Sequence, residues 1–308
     1  MTHVEEQQRL ARLKPFLERR AAIYQYIRGF FGERGFLEVE TPIRTPAVAP
    51  EQHIVPLQSE GWFLSTSPEL YMKRLLASGY ERLFQISRCF RKGERGRQHN
   101  SEFTLLEWYR AGAGYEQVLR DTEELVFTIA QRLGIGSAVC YRNRIDLSPP
   151  WHRLTVREAF LGWAGWDPVS ELDPIKFDID LVNRVIPSLD PQHPTILMDY
   201  PAPLASLARL KPGDPGVAER AEVFIGGLEL ANAYSELTDP REQERRFREE
   251  AARIEGEGRR AVLPERFLKA MEHLPECGGI ALGLDRLVML FCNTDTIDDV
   301  LPFTSDTA

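Results

Sequence analysis

The sequence lacks any uninterrupted apolar run approaching the ~18 to 20 residues that a bilayer-spanning helix needs. Its first residues, Met1-Thr-His-Val-Glu-Glu-Gln-Gln, are polar and acidic, without the basic start and apolar centre of a secretory leader. A cytoplasmic protein with no membrane role is therefore expected. Cysteine is scarce: Cys89, Cys140, Cys277 and Cys292 lie far apart and form no Cys-x-x-Cys pair. That excludes a zinc ribbon and a disulfide framework and leaves buried free thiols as the expectation. Basic charge is also in deficit, with a formal net charge of -8. Phosphate-backbone affinity comes from clustered Lys and Arg, so nucleic-acid binding is disfavoured, although a local basic patch stays open. The glycine-rich fingerprints of dinucleotide and P-loop folds are missing, as are internal repeats and low-complexity tracts.

What is present is an ordinary globular composition, 43% hydrophobic and 27% charged over 308 residues, enough for one large domain or two modest ones. Leu13, Phe16, Leu17, Ile23, Tyr24, Ile27, Phe30 and Phe31 recur at three- and four-residue steps and predict an amphipathic helix that stops near Gly35. Phe36 to Pro42 reads as a strand ended by proline. Ser67, Pro68 and Glu69 offer an N-cap, a first-turn proline and an early acid for a second helix. A strand from Arg82 to Arg91 and a return strand from Phe103 to Tyr109 flank a polar loop with two glycines. Tyr115 to Leu133 is a further amphipathic helix, and residues 134–194, rich in Pro, Trp and short helical pieces, read as an insertion. Ile196 to Tyr200, Glu222 to Leu237 and Gly278 to Leu282 are strand-like, while the charge-dense stretch from Arg241 to about Arg259 reads as a solvated helix face. The absence of regular βαβ alternation points to an α+β domain with an antiparallel sheet flanked by helices.

Three segments carry a resemblance. Gly35-Phe-Leu-Glu-Val-Glu-Thr-Pro42, Phe90-Arg91 through Glu102-Phe103, and Gly279-Ile-Ala-Leu-Gly-Leu-Asp-Arg286-Leu resemble motifs one, two and three of class II aminoacyl-tRNA synthetases. The lysyl branch is indicated by Ser67-Pro-Glu-Leu-Tyr-Met-Lys-Arg-Leu, His99-Asn-Ser-Glu-Phe-Thr-Leu-Leu-Glu-Trp-Tyr109 and Glu229-Leu-Ala-Asn-Ala-Tyr-Ser-Glu-Leu-Thr-Asp239. The likeness spans about residue 14 to the end. It implies one class II catalytic domain over residues 1–308, ATP and magnesium as cofactors, and formation of an aminoacyl-adenylate.

That chemistry is in-line attack of a carboxylate on the α-phosphorus, for which a protein positions reactants and neutralises developing charge. Arg91, at the end of a hairpin strand, is placed to grip the α-phosphate with a guanidinium fork. The resemblance makes Arg91 and Arg286 the catalytic pair, with Phe103 and Arg286 sandwiching adenine. Lys92, Gly93, Glu94, Asn100, Glu229, Leu230 and Gly283 complete the implied ATP contacts. A core role is the alternative for Phe103. A charge in the apolar Gly-Leu-Asp-Arg-Leu-Val-Met-Leu segment requires a partner or a function, which favours the assignment of Arg286. Motif two normally reads Arg-x-Glu, whereas here glycine stands at position 93 and the acid follows at Glu94, so Glu94 or a backbone carbonyl is expected to substitute.

By the same resemblance Glu222 and Glu229 serve the magnesium, for which hard oxygen ligands are suited. They lie seven apart in one strand-like segment, so a bulge at Gly226-Gly227 is expected if both are to act together. An exposed, non-ligating role is the alternative for Glu222. For the amino acid, Glu69 meets the α-region ammonium, Glu107, Tyr109, Asn232 and Glu236 line the pocket for the side chain and its terminal ammonium, and Ser67, Pro68 and Ala281 complete the implied substrate contacts. Acids in an apolar sheet are costly unless something positive arrives, which favours a cationic substrate over pairing with the protein's own arginines.

Motif one begins within the first fifty residues, leaving no room ahead of it for the anticodon-binding barrel of a lysyl-tRNA synthetase. The sequence therefore resembles the elongation factor P lysine ligase family, truncated lysyl-synthetase paralogues that join a β-lysyl group to a lysine of elongation factor P. Thr66-Ser67-Pro68-Glu69, and Ala281 where tRNA enzymes have glycine, agree with that branch. The Ala281 methyl narrows the pocket floor and disfavours an α-amine, by about 1 to 3 kcal/mol. A tRNA-charging enzyme and a non-catalytic ligand-binding paralogue are the alternatives. A homodimer is expected through motif one, with Phe30, Phe31 and Phe36 supplying apolar area.

Overall fold

The computed structural model describes residues 2–308, and the chain divides into two compact units. The first comprises the chain up to Glu107 with Asp239–Leu274 and Gly283–Ala308. Its strands and helices are α1 (His3–Glu33), β1 (Leu37–Glu38), β2 (Arg44–Thr45), β3 (Gln58–Ser59), β4 (Trp62–Leu64), α2 (Glu69–Leu76), β5 (Arg82–Phe90) and β6 (Glu102–Ala111), whose last residues pass into the second unit. The second unit continues with α3 (Tyr115–Arg132), β7 (Ala138–Tyr141), β8 (Asn143–Asp146), β9 (His152–Thr155), α4 (Val156–Trp163), α5 (Pro174–Asp180), α6 (Ile186–Ser188), β10 (Thr195–Pro201), β11 (Leu210–Lys211), β12 (Asp214–Ile225) and β13 (Leu228–Ser235). The chain then returns to the first unit for α7 (Pro240–Gly256) and α8 (Glu265–Ala270), supplies β14 (Cys277–Gly283), and ends with α9 (Leu284–Cys292).

In the first unit α1 begins at a capping box, with Glu5 N donating to Thr2 Oγ1 at 3.3 Å and Thr2 N to Glu5 Oε2 at 2.6 Å. Such a cap contributes about 1 kcal/mol. The helix stops where predicted, because Gly35 takes φ +72°, a left-handed conformation that glycine adopts at little cost. Its apolar stripe is buried at Leu13, Ile23, Ile27, Phe30 and Phe31. Phe31 stacks on Phe84 of β5 at 4.7 Å and meets Phe36 edge-on at 5.0 Å. Phe30, Phe31 and Phe36 are 0%, 0% and 7% exposed, so they are core of this chain and not the apolar dimer surface that the sequence suggested. A stripe at helical spacing announces burial without saying whether the partner lies in the same chain.

The strand expected from Phe36 to Pro42 shrinks to the two residues of β1, parallel to β5. The second helix starts at Glu69 with Pro68 as its boundary residue, and Ser67 still supplies the cap, its Oγ accepting from Glu69 N at 3.0 Å. The charge-dense stretch is α7, whose outer face carries Arg245–Glu242 and Arg248–Glu244 ion pairs while Gln243, Phe247 and Ile254 are buried.

In the second unit the order is β14-β13-β12-β10-β9, antiparallel except for the parallel pair β9 and β10. The segment expected to run as one strand from Glu222 to Leu237 is instead a hairpin. Gly226 and Gly227 both take positive φ, +58° and +76°, and reverse the chain, the geometry of a two-residue turn whose twist suits a hairpin. A bulge does occur, one turn later: Val223 pairs with Ala231 and Phe224 with Glu229, leaving Leu230 as the extra residue. Residues 134–194 contribute a β7–β8 hairpin, the edge strand β9, and helices whose Val156, Phe160, Phe177 and Val185 pack with Leu197, Tyr200 and Phe224 of the sheet. Phe160 and Phe177 stack at 4.6 Å. Of the four cysteines, Cys89, Cys277 and Cys292 are buried free thiols as expected, but Cys140 on the β7–β8 hairpin is exposed. A two-stranded hairpin leaves one face to solvent, which the residue type alone does not reveal.

Candidate active site

The β5–β6 hairpin of the first unit holds Arg91, Lys92, Gly93, Glu94, Asn100 and Phe103 at or beside its turn. Arg91 leaves β5 with its N–H on Ser101 O at 2.9 Å, while its guanidinium lies 5.0 Å from the Phe103 ring centre and 3.5 Å from Glu94. Its Nε is buried and has no hydrogen-bond partner in the protein. A buried donor without an acceptor costs about 1 to 3 kcal/mol, and an arriving phosphate oxygen would satisfy it. Gly93 takes φ +82°, so the turn at this point needs glycine and moves the acid to Glu94, where it pairs with Arg91. Lys92 is exposed, with its N–H on Val55 O at 2.7 Å. Phe103 is half-buried and outside the core, with the Arg91 guanidinium over one face of its ring.

Asn100 is 4% exposed, and its side chain is engaged inside the protein: Nδ2 donates to Glu102 O at 2.7 Å and Oδ1 accepts from Ser305 N and Oγ. It ties the hairpin to the C-terminal segment. Arg286 is half-buried, close to Gly283, and its Nη2 lies 2.7 Å from His99 Nε2. Burial first, and the Arg286 charge second, hold His99 below the usual imidazole range, which keeps its ring neutral and able to accept. The buried charge of the α9 segment is Asp285, 2% exposed, and not Arg286. Asp285 meets Arg20 of α1 at 2.7 Å and accepts from Thr104 N at 2.8 Å. Its neighbour Arg286 is thereby set at the helix start.

Also in the first unit, Ser67 Oγ donates to Glu107 Oε1 at 2.7 Å, with Glu107 completely buried. Glu69 is held by Lys73, one helical turn on, at 2.5 Å, and Lys73 is 1% exposed. Sequence reasoning set Glu69 against the substrate amine and missed this cation, although its i+4 spacing was the available signal. Pro68 is buried beside them.

In the second unit, three strands form one row: Glu222 is opposite Asn232, and Asn232 opposite Ala281. Glu222 is 7% exposed, which removes the exposed alternative, and its Oε1 meets Arg220 at 2.7 Å and Asn232 Nδ2 at 3.5 Å. Arg220 lies 4.6 Å from the Tyr200 ring and 6.0 Å from Tyr234. Burial pushes Glu222 above the ordinary carboxylate range; Arg220 opposes this and the charge of Glu229 adds to it. Glu229 is exposed on β13, next to the Leu230 bulge. Two mutually repelling carboxylates, one buried and one wet, fit a magnesium ion that takes one or two carboxylates and completes its shell with water and phosphate.

Asn232 Oδ1 is buried and has no hydrogen-bond partner. Glu236 is 2% exposed and Tyr109 is 3% exposed. Both crowd Gly279, where an added Cβ would lie 2.1 Å from Glu236 Oε1 and 2.3 Å from Tyr109 Cε1. Without a side chain, Gly279 lets an acid and a phenol pack over bare backbone.

The family model described as tRNA synthetases class II (D, K and N) matches residues 6–307. The chain belongs to the class II tRNA synthetase family. Within it, the chain is 38% identical over 312 residues to proteins of Salmonella gallinarum and Salmonella typhi named elongation factor P--(R)-beta-lysine ligase, covering 96% of this chain and of each of them. A protein of that name from Salmonella paratyphi B is 37% identical over 318 residues. The chain thus falls in the elongation factor P lysine ligase branch of the class II synthetases, as its motifs suggested. No helix among the described residues is long and apolar enough to cross a membrane.

For a class II synthetase the residues that sequence reasoning missed are the supports: Arg20 and Asp285, Lys73, Arg220 and Gly279. Each is a partner of a named motif residue, and each pairing joins distant segments or depends on a side chain's direction. Spacing along the chain reveals neither, apart from the Glu69–Lys73 turn.

Proposed function

We propose that this chain uses ATP to activate (R)-β-lysine, or lysine, as an adenylate and transfers the lysyl group to the ε-amine of a lysine on elongation factor P. The identity over nearly the whole of the ligase relatives supports this reading. The observation that carries the choice of a cationic amino acid is the buried, unpartnered Oδ1 of Asn232. Its unsatisfied acceptor calls for a donor such as an ammonium group, and the same sheet face carries Glu222 and Ala281.

In the first step the lysine carboxylate oxygen attacks the α-phosphorus, the bond to the β-phosphate oxygen breaks, and pyrophosphate leaves. Arg91 is assigned to the α-phosphate through its unpartnered Nε, and Arg286 with Phe103 to the adenine. Lys92, Gly93, Glu94, Asn100, Leu230 and Gly283 would complete the ATP contacts. Magnesium, held by Glu229 and Glu222, would offset charge on the leaving pyrophosphate. Glu107, Tyr109, Asn232 and Glu236 are assigned to the lysine side chain and its terminal ammonium, Glu69 to the α-region ammonium, and Ser67 and Pro68 to substrate binding. In the second step the acceptor amine attacks the acyl carbon, an amide forms, and the bond to AMP breaks.

We also assign a cytoplasmic location and a homodimer built through the motif-one segment. The apolar residues exposed there are Leu37 and Ile43, 51% and 49% accessible. The test of the whole reading is incubation of protein, ATP and each lysine isomer with elongation factor P and with bulk tRNA, weighing both acceptors. Gain of one lysyl group on elongation factor P alone is the expected result; charging of tRNA alone would overturn it.

A further inference from the structure

Far along the chain from every residue assigned above, His152, Asp190 and His193 of the second unit bring one potential ligand atom each to within 4.8 Å of the others. We infer that these three side chains form a binding site for a zinc-class divalent transition ion, with two imidazoles and one carboxylate as ligands.

The backbone builds the cluster. His152 opens β9 and donates its N–H to Pro194 O at 3.1 Å, while β9 pairs in parallel with β10 so that His152 stands opposite Thr195. That fixes His152 beside the residues just before β10, one of which is His193. Gln192 N donates to Asp190 Oδ1 at 2.7 Å, closing a short turn, and Gln192 O accepts from Asp146 N at 2.8 Å. The turn engages one carboxylate oxygen and aims the other at the rings. Oδ2 lies 2.8 Å from His193 Nδ1 and 3.9 Å from His152 Nδ1. The two imidazoles stack with centres 5.1 Å apart and planes 26° from parallel.

Zinc–nitrogen and zinc–oxygen bonds of about 2.0 to 2.1 Å at tetrahedral angles set ligand atoms about 3.4 Å apart. The observed separations of 2.8 and 3.9 Å bracket that value. Imidazole with carboxylate suits zinc and its neighbours in the transition series, whereas magnesium and calcium prefer all-oxygen shells. The side chains are 57%, 33% and 45% exposed in chain order, so an ion enters from solvent and water fills the fourth position. Such an ion would clip the edge strand β9 to the turn before β10.

The test uses the full-length protein, freed of metal by chelator and kept in excess Mg2+ so that Glu222 and Glu229 are occupied. Zn2+ is titrated by competition with a chromogenic chelator, in a Cys140→Ser background that removes the exposed thiol. Wild type should bind one Zn2+ more than the His152→Ala/His193→Ala variant. Asp190→Asn should weaken that equivalent at least ~10-fold, since loss of supporting shell groups alone costs that much at metal sites. Circular dichroism of each variant checks the fold, and Asp190→Asn, nearly isosteric, keeps the test decisive if the double variant unfolds. Equal stoichiometry and affinity in wild type and Asp190→Asn would overturn the assignment.

Discussion

Arg20 in the first helix and Asp285 at the start of the last meet in a buried ion pair of 2.7 Å, their side chains 10% and 3% exposed. Arg20 also donates to Thr104 Oγ1 and the Tyr24 hydroxyl, so motif-one helix, motif-two strand and motif-three helix share one polar node. Removing one member strands a buried charge, at a cost of about 3 to 5 kcal/mol. Asp285→Ala should therefore lower the urea midpoint sharply and slow adenylate formation by displacing Arg286. Unchanged midpoints would show that the pair contributes nothing net.

Arg91→Ala should leave the fold intact and reduce amino-acid-dependent pyrophosphate exchange at least ~100-fold, the scale seen when a preorganised charge stabiliser is removed. Its guanidinium is half-buried and pairs only at 3.5 Å with Glu94, so little stability rests on it. Near-normal exchange would refute the assignment to the α-phosphate.

At Gly279 an alanine methyl would collide with Glu236 and Tyr109 at 2.1 and 2.3 Å. Either side chain must move, and overpacking of this kind costs about 1 to 3 kcal/mol. Gly279→Ala should raise KM for lysine by an order of magnitude or more while KM for ATP changes little. Equal rises in both would place Gly279 outside the amino-acid pocket.

Ala281 stands opposite Asn232 in the β13–β14 register, so its methyl shares a sheet face with an assigned pocket residue. Ala281→Gly should raise activation of α-lysine relative to β-lysine by about 10-fold, since one methyl group contributes ~1 to 3 kcal/mol of discrimination. Glu236→Gln should weaken both isomers alike, because both lose the same charge-assisted hydrogen bond. The measurement is pyrophosphate exchange with each isomer; an unchanged ratio in Ala281→Gly removes the shape argument for the β-amino acid.

Burial, with a contribution from the Glu107 carboxylate, pushes the Cys89 thiol from an ordinary 9.0 up to about 12. Between those values the unfolded chain loses a proton that the native protein keeps. Stability therefore falls as pH rises from about 9, by about 1.4 kcal/mol per pH unit for this one group. Below pH 9 the effect vanishes. Wild type and Cys89→Ala compared by urea unfolding at pH 8, 9 and 10 should converge as pH rises, and parallel curves would disprove the buried-thiol origin of the slope.

Much of this protein was decided by order along the chain. The helix ending at Gly35, the Ser67 cap of α2, the β5–β6 hairpin around a polar loop and the three motifs are local patterns, set by periodicity, capping and turn chemistry within a few residues. The family followed from them, because residues such as Arg91, Asn232 and Arg286 sit at motif positions. What the tertiary structure decided were the choices that depend on partners distant in sequence. Whether Phe30, Phe31 and Phe36 face another chain or their own β5 is not written in a helical stripe. Whether the buried charge of α9 is Asp285 or Arg286 depends on where Arg20 lies. Gly226-Gly227 permits a bulge or a reversal, since glycine tolerates both, and pairing of β12 with β13 selects the reversal. Side-chain packing over Gly279 and the row Glu222, Asn232 and Ala281 arise from register between strands, a long-range property that local spacing does not encode.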